Sequence, residues 1–294
     1  MKTVIVGSEV PRTDGAAKVK GLAVYGDDLV MKNMLYGVCR YADIPAGQIT
    51  SLDLSDARKV PGVVKIATWD DIPGEKKIGV VTPDYPPIVE REIAFRGDVV
   101  AVVAAETYEA ACLAAEKIKI GYKPCQPVTS PQEALRPGAR LIHSDSESNI
   151  INHHFTVKGD IDAGFAASTH IFEREYQVGF QEHAYIEPES ITTCYDDNEQ
   201  IITVYGSIQN AHRVRGFVAK YLGLPHAKVN VKRSVLGGSF GGKDDIIDHL
   251  ACRAALLTWL TSRPVKMTYN REQSMRESYK RHPYTMKYKI GLDD

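Results

Sequence analysis

Hydrophobic and polar positions follow two different periods along the chain, and the changes of period predict alternating strands and helices. Residues 98–106 form a continuous apolar run, as expected of a strand that is buried on both faces. The next segment, 107–118, carries apolar residues at helical spacing, and Thr107 is placed to cap it. Four further elements complete this half: strands at 34–41, 63–68 and 118–122, and a helix at 51–63. The pattern predicts a compact α/β domain over residues 1–125.

The second half of the chain begins with strands and continues with strand-to-helix units. Its predicted strands are 169–178, 190–197 and 200–207. A helix follows the last of these strands; Asn210 can cap its start, and Gly223 with Pro225 ends it. A stretch rich in Pro, Ser and charge, residues 126–149, predicts a linker between this half and the first. We therefore expect a mixed α/β, or α+β, chain with a second domain over residues 150–294.

Three segments fit this scheme less well. Residues 1–28 are rich in glycine and charge and predict an arm with turns, and residues 70–90 predict a loop. The C-terminal segment 286–294 alternates as a strand does and ends on Asp-Asp, a turn signal. A hairpin partner for this strand does not follow in the sequence. The pattern therefore suggests that the fold continues in another polypeptide or that the chain is a fragment.

Composition narrows the class of protein. Hydrophobic residues make up 44% and charged residues 25%, with a net charge of -1, so there is no electrostatic footprint for nucleic acid. No run approaches 18 apolar residues, which predicts no membrane span, and the start predicts no signal peptide. The five cysteines are scattered, which argues against a zinc ribbon or an iron–sulfur cluster. We expect a cytoplasmic protein.

The strongest candidate for chemistry is the glycine-rich segment Gly237–Asp244, GGSFGGKD, between a β-rich run and an apolar-faced helix. Its glycines allow backbone N–H groups to approach a ligand, and the helix that follows adds partial positive charge. The alternative is a tight turn that only connects two elements. A phosphate-loop NTPase is a further alternative, with Lys243 on the phosphates, although Asp244 stands where that motif needs Ser or Thr.

Several motifs in order resemble the molybdenum-cofactor subunit of xanthine dehydrogenase/aldehyde oxidase-type hydroxylases. The segment GGSFGGKDD resembles the glycine loop of that family, and YGSIQNAHRVRGFVAKYLGLP resembles the segment before it. FQEHAYIEPES, residues 180–190, resembles the family's Gln-Glu-His strand, and residues 263–291 resemble the downstream segment. The start of the chain resembles the family's hammerhead domain. The resemblance covers essentially the whole chain and implies a hammerhead-like domain followed by the first part of a molybdopterin-binding domain.

The resemblance implies roles for individual residues. It assigns cofactor contacts to Gln209, Gly238, Phe240 and Gly241, and substrate contacts to Asp244 and Arg281. Asp244 is one methylene shorter than the glutamate of purine-oxidising members, so purine recognition does not follow. For each of these residues the structural alternative stays open: a cap, a core anchor or a solvated side chain.

The Glu and His residues around position 185 invite a metal-site interpretation. Alternation along a strand would divide them between two faces, and the family resemblance makes them structural. We therefore expect no protein side chain to ligate metal. These residues are Glu182, His183, Glu187 and Glu189.

The resemblance also implies what lies elsewhere. The family's general-base glutamate belongs to the C-terminal half of its subunit, so no catalytic base is assigned here. The implied cofactor is molybdenum held by molybdopterin, its cytosine dinucleotide form included, with [2Fe–2S] and FAD on partner chains. A C-terminal molybdenum-binding chain, an iron–sulfur subunit and a FAD subunit are the implied partners. The expected substrate is a small N-heterocycle or an aldehyde; a non-catalytic interaction subunit is the alternative.

Overall fold

The computed structural model describes residues 7–294, so the first six residues of the predicted arm lie outside the described residues. The strands are β1 (Leu35–Tyr41), β2 (Gly47–Asp53), β3 (Val63–Ala67), β4 (Glu92–Ile93), β5 (Val99–Ala105), β6 (Lys119–Pro124), β7 (His170–Val178), β8 (Ser190–Asp196), β9 (Ile201–Gly206), β10 (Val229–Arg233), β11 (Val265–Thr268) and β12 (Tyr284–Leu292). The α-helices are α1 (Gly15–Val19), α2 (Tyr108–Lys117), α3 (Pro131–Ala134), α4 (Ile161–Ala167), α5 (Ala211–Leu222), α6 (Gly242–Thr261) and α7 (Arg271–Glu277).

One seven-stranded sheet runs through both halves of the chain, in the order β10-β9-β8-β11-β1-β5-β3. The halves meet where β1 pairs parallel with β11, with Leu35 opposite Val265. Strands from either side of the predicted linker therefore share one ladder of backbone hydrogen bonds. The division at residues 125 and 150 remains a prediction, because this sheet crosses it.

Strand β5 shows why the sheet needs a layer on each face. All of its residues are buried, and from Ala101 to Ala105 they alternate between two apolar clusters. Val102 faces the larger cluster, which α5 and α6 close. Val103 faces a smaller cluster that contains one side of α2. The continuous apolar run of the sequence is thus a strand between two helical layers.

Two small sheets flank this core. Strands β4, β2 and β6 form one of them, and β7 with β12 form a two-stranded antiparallel ribbon. One face of the ribbon is apolar and about half exposed, with Phe172 at 50% and Ile290 at 51%. On its other face Lys289 pairs with Glu173 at 3.1 Å. The ribbon therefore presents an apolar face that no described part of the chain covers fully.

The helix predicted at residues 51–63 is wrong. Its first part belongs to β2, which pairs with β6 from Gly47 opposite Pro124 to Asp53 opposite Lys119. Only a single 3₁₀ turn, Ala57–Lys59, follows. Pairing with a strand about 70 residues away outweighs the local helical preference of this segment, as tertiary contacts commonly do.

The C-terminal strand does have a partner. β12 pairs with β7 over nine residues, from Tyr284 opposite Val178 to Leu292 opposite His170. A hairpin would require a neighbouring segment, whereas this partner lies more than 100 residues upstream. The missing hairpin therefore carries no conclusion about where the fold ends.

The Gln-Glu-His segment is not a strand in the structure. Residues 182–189 are irregular, with Ala184 at a φ of 50°. Only Gln181 forms an isolated bridge, to Arg281. An irregular path lets this segment wrap around the glycine loop, so its charged side chains are not divided between two faces.

The predicted signals of helix α5 are confirmed. The Asn210 side chain accepts a hydrogen bond from the Arg213 N–H, and Gly223 ends the helix in the left-handed conformation with a φ of 66°. Within residues 7–294, no helix combines the length and the apolar character needed to cross a membrane.

Candidate functional site

The glycine loop between β10 and α6 has a backbone that ordinary residues rarely adopt. Gly238 and Gly241 have φ values of 103° and 94°, and Phe240 lies between them at 52°. A bulky residue at positive φ is strained, and such strain clusters at ligand sites. The Phe240 side chain is 78% exposed. It therefore does not serve as a core anchor among the described residues.

The loop lies directly against the irregular segment 183–187. A Cβ atom at Gly237 would stand 2.5 Å from the Glu187 side chain, and one at Gly242 would stand 2.6 Å from the Tyr185 ring. These approaches leave no room for any side chain at the two positions. The outer glycines thus hold the loop against its support, and Phe240 and Gly241 are exposed.

Four consecutive backbone donors in this loop are free. The N–H groups of residues 238–241 have no acceptor among residues 7–294. Gly237 is bound to Glu187, and Gly242 donates to the Ser239 carbonyl at 2.8 Å. A run of unpaired N–H groups before a 20-residue helix is a suitable cradle for ligand oxygens. The loop therefore fits a cofactor that presents oxygen acceptors.

Glu187 fixes the glycine loop through hydrogen bonds to its carboxylate. Its carboxylate accepts from Lys243 Nζ at 2.7 Å, from the Ser207 hydroxyl at 2.7 Å and from the Gly237 N–H at 2.6 Å. Burial opposes ionisation of Glu187, and these hydrogen bonds outweigh it and lower its pKa. Gly26 of the first half also donates to this carboxylate, at 3.2 Å. No local pattern in the sequence indicates this anchor, because its partners lie up to 161 positions away.

The side chain of Lys243 is fully buried, which excludes the NTPase alternative. Its ammonium group binds Glu187 and Ser207 and stands 4.8 Å from the centre of the Tyr185 ring. Burial lowers the pKa of Lys243, against the opposing effect of Glu187. A fully buried ammonium group is not accessible to a nucleotide phosphate.

Gln209 and Asp244 line the same open concavity of about 470 Å³. Gln209 follows the end of β9, and its backbone N–H donates to the Lys243 carbonyl at 3.2 Å. The remaining lining residues are Asn210, Ala211, His212 and Arg233. The structure thus brings together one residue expected to contact the cofactor and one expected to contact the substrate.

Arg213 forms ion pairs with Asp244 and with two further carboxylates of the same helix. Its guanidinium group contacts Asp244 at 3.3 Å, Asp245 at 2.9 Å and Asp248 at 2.8 Å. Burial raises the pKa of Asp248 to about 8, although Arg213 acts to lower it. Sequence reasoning did not single out Arg213. The available signal was the i, i+1, i+4 spacing of the three carboxylates on one helix face.

Arg281 does not line this concavity. Its backbone pairs with Gln181 in both directions, at 3.0 and 3.3 Å, and its guanidinium donates to the Gly179 carbonyl at 3.1 Å. The side chain is exposed. A substrate contact for Arg281 therefore remains a prediction that the described contacts do not test.

The Glu and His cluster has structural partners. Glu182 pairs with Lys280 at 2.5 Å, and Tyr185 donates to the fully buried Glu189. Burial opposes ionisation of Glu182, but Lys280 and Ser278 outweigh it and lower its pKa. Across residues 7–294, no three His, Cys, Asp or Glu side chains are grouped so that they could hold a metal ion.

Two family models match the chain, one for each half. The model of the aldehyde oxidase and xanthine dehydrogenase a/b hammerhead domain matches residues 20–126. The model of the molybdopterin cofactor-binding domain matches residues 142–294, which is more than half of the chain. These limits place the free N–H groups and Gln209 within the cofactor-binding match.

Whole-chain relatives agree with these models. The chain is 38% identical over 282 residues to a probable xanthine dehydrogenase subunit of Bacillus subtilis, and the match covers 96% of this chain and 37% of that protein. It is 37% identical over 287 residues to the nicotinate dehydrogenase large molybdopterin subunit of Eubacterium barkeri, with 98% of this chain and 66% of the relative covered. The chain thus spans about a third to two thirds of these curated relatives.

A solved structure shares the fold. The aldehyde oxidoreductase of Desulfovibrio gigas superposes with a TM-score of 0.89 at 28% identity, over 98% of this chain and 33% of that one. The mixed α/β fold and the strained glycine loop define a cofactor-binding chain of the molybdopterin class. The chain belongs to the xanthine dehydrogenase/aldehyde oxidase family.

Proposed function

We propose that this chain forms part of the molybdenum-cofactor subunit of a hydroxylase that oxidises a small N-heterocycle or an aldehyde. The observation that carries the proposal is the row of free N–H groups at residues 238–241, beside Gln209 and within the matched cofactor-binding region. When bound, the molybdenum centre supplies oxidation of the substrate carbon with oxygen derived from water. The chain itself supplies placement and hydrogen bonds.

In this proposal the loop and Gln209 hold the cofactor. The backbone of Gly238, Phe240 and Gly241 would contact its oxygen atoms, and the Gln209 amide would donate a hydrogen bond to it. Strain at Phe240 keeps the backbone donors preorganised, so that they do not reorient when the cofactor binds. The general-base glutamate is proposed to lie outside this chain.

Asp244 and Arg281 form the substrate side of the proposal. Because Arg213 binds Asp244, that carboxylate is held in one orientation and its charge is partly compensated. A site built in this way favours substrates that donate a hydrogen bond to the carboxylate. Arg281 would orient negative charge that develops on the substrate. Small N-heterocycles that carry a ring N–H are therefore screened first, followed by nicotinate-like heterocycles and aldehydes, which lack such a donor.

We propose that electrons leave the site through partner chains. None of the five cysteines forms a disulfide, and their scatter offers no cluster site. We propose an iron–sulfur subunit, a FAD subunit and a C-terminal molybdenum-binding chain as cytoplasmic partners. The relatives named as subunits support a heteromer. The apolar face of the β7–β12 ribbon is a suitable surface for such a chain.

Molybdenum content tests the proposal directly. The tagged chain is isolated natively from its own cells, and molybdenum and iron are measured per chain by elemental analysis. We expect about one molybdenum per chain, with co-purifying chains that carry iron and flavin. A chain without molybdenum would reject the proposal and favour the non-catalytic interaction subunit.

A matched pair of variants tests whether molybdenum content depends on the glycine loop. Gly241→Val forces a branched side chain into a φ of 94°, and Gly138→Val does the same at 76° in the region between the halves, where nothing lies within 4 Å. We expect Gly241→Val to lose most of its molybdenum and Gly138→Val to retain it. Equal loss in both variants would mean that general instability, rather than the loop, sets the metal content.

A further inference from the structure

A closed ring of hydrogen bonds joins Gln209, Ser239 and Lys243. The Gln209 backbone N–H donates to the Lys243 carbonyl at 3.2 Å, and the Lys243 N–H donates to the Ser239 hydroxyl oxygen at 3.3 Å. The Ser239 hydroxyl then donates to the side-chain oxygen Oε1 of Gln209. Ser239 thereby links the backbone of the loop to the side chain of the residue that faces the concavity.

The donors and acceptors in this ring fix the orientation of the Gln209 amide. Ser239 Oγ already accepts one hydrogen bond from a backbone N–H, so its own proton is available to an acceptor. Oε1 of Gln209 supplies that acceptor. The reverse orientation would place the two Nε2 protons against an oxygen whose proton then has no acceptor in the ring. The amide therefore turns its Nε2 donors away from Ser239.

The ring of hydrogen bonds is anchored by the buried side chain of Lys243. Lys243, which supplies two of its backbone contacts, is fully buried and bound through Nζ to Glu187 and Ser207. Gln209 itself is exposed and has no other side-chain hydrogen bond among the described residues. Ser239 is consequently the one side chain of the described structure that holds the Gln209 amide.

We infer that Ser239 is a positioning residue that orients the Gln209 amide, so that its Nε2 donors face the ligand in the concavity. The inference rests on the proposed role of Gln209 as a cofactor contact. Without Ser239, the amide of an exposed glutamine is free to rotate about its terminal bond, and its donors are no longer preorganised. Ser239 acts only through Gln209.

Retention of molybdenum tests the inference. The holoprotein and its variants are dialysed, and the molybdenum remaining per chain is followed by elemental analysis. Loss of the Ser239 hydroxyl in Ser239→Ala is expected to shorten the half-time of retention by about 3- to 10-fold, the range of one hydrogen bond. Ser239→Thr keeps the hydroxyl and is expected to retain molybdenum nearly as the unmodified protein does.

A double-mutant comparison separates positioning from general structural support. If Ser239 acts through Gln209, then Ser239→Ala adds no further loss to Gln209→Ala. Additive losses, or a Ser239→Ala variant that retains molybdenum normally, would overturn the inference. The thermal midpoint of each variant is also compared after molybdenum has been removed, because a folding defect lowers that midpoint and the proposed effect does not.

Crystal structures test the same inference independently of the metal. Gln209 should have one ordered amide orientation in the unmodified protein and in Ser239→Thr, and several in Ser239→Ala. An unchanged amide in Ser239→Ala overturns the positioning role even if molybdenum is present. An ordered amide that Ser239→Ala releases supports it even if the native protein contains no molybdenum, in which case only the proposed function fails.

Discussion

The carboxylates around Arg213 show how one residue can differ from its neighbours on the same helix. Asp245 is 45% exposed in its side chain, whereas Asp248 is 3% exposed, and both contact the same guanidinium. Burial of Asp248 raises its pKa to about 8. Asp248 therefore takes up a proton on folding at neutral pH, when an unfolded aspartate is ionised.

Asp248 should make stability depend on pH. Its pKa is higher in the folded than in the unfolded protein, so unfolding releases a proton between about pH 4 and pH 8. The free energy of unfolding then falls as pH rises through this window and levels off above it. Asp248→Asn cannot ionise, and we expect a flatter profile in thermal unfolding measured from about pH 5 to pH 9.

Asp245→Asn is the matched control for that measurement. It removes a carboxylate from the same arginine at an exposed position and leaves Asp248 buried, so the fall in stability between about pH 5 and pH 7 should persist. An equally flat profile in both variants would show that the overall charge near Arg213, and not burial of Asp248, causes the dependence.

The sequence predicts the role of a single residue well when neighbouring positions in the chain define that role. Gln209 and Asp244 are recognisable from local motifs, and the structure places both at one concavity. Ser239 binds Gln209, 30 positions away, and Glu187 binds partners 20 to 161 positions away; no local spacing reveals such contacts. Pair contacts of this kind become visible only when the chain has folded.

Among the elements, helix α5 is defined by local signals, whereas the segment at residues 51–63 is defined by long-range pairing. The helix carries its own start and stop signals, Asn210 and Gly223, and both act as the sequence predicts. The other segment carries helix-compatible residues, but its pairing with β6 makes its first part a strand. Local capping decides the first element, and long-range pairing decides the second.

The end of α5 offers a test of its stop signal. Gly223 has a φ of 66°, and its nearest neighbour would lie 3.7 Å from an added Cβ, so Ala at this position meets strain rather than a clash. We expect Gly223→Ala to lower the free energy of unfolding by about 1 kcal/mol. Denaturant unfolding followed by circular dichroism measures the change.

Gly216, inside the same helix, supplies the opposite case. An added Cβ would make an ordinary contact of 3.7 Å with His226, and helical φ suits alanine. Gly216→Ala should therefore raise the free energy of unfolding by about 0.5–1 kcal/mol. Destabilisation by both substitutions would indicate that α5 tolerates no added methyl group, independent of backbone conformation.

The whole molecule is joined by its central sheet and by a buried ion pair. Arg253 of α6 contacts Glu277 of α7 at 2.5 Å and donates to the Pro87 carbonyl at 2.6 Å, and both charged side chains are fully buried. The pair connects the second half to the loop between β3 and β4. The sequence predicts that loop at residues 70–90, but no local pattern indicates that α6 holds it.

We expect the two halves to unfold together, because they share one sheet. The chain contains two tryptophans: Trp69 follows β3 in the first half, and Trp259 lies in α6 against Tyr195. Trp69→Phe and Trp259→Phe leave one fluorescent probe in each half. Their urea midpoints should coincide within error, as they do for a cooperative two-state transition.

Distinct midpoints would show that the shared ladder between β1 and β11 does not couple the halves, and that the linker separates two independent units. A chain with both tryptophans serves as the control, since it should give the same single midpoint if neither replacement disturbs its surroundings.

The parallel pairing of β1 with β11 also has a consequence for the time order of folding. Leu35 and Val265 are neighbours in the sheet but are 230 positions apart in the chain. At synthesis rates of about 5–20 residues per second, the ribosome needs roughly 10–50 s to make the second strand after the first. During that interval one edge of β1 has no native partner. The sheet therefore closes only after β11 has been made, and the nascent first half depends on its other contacts until then.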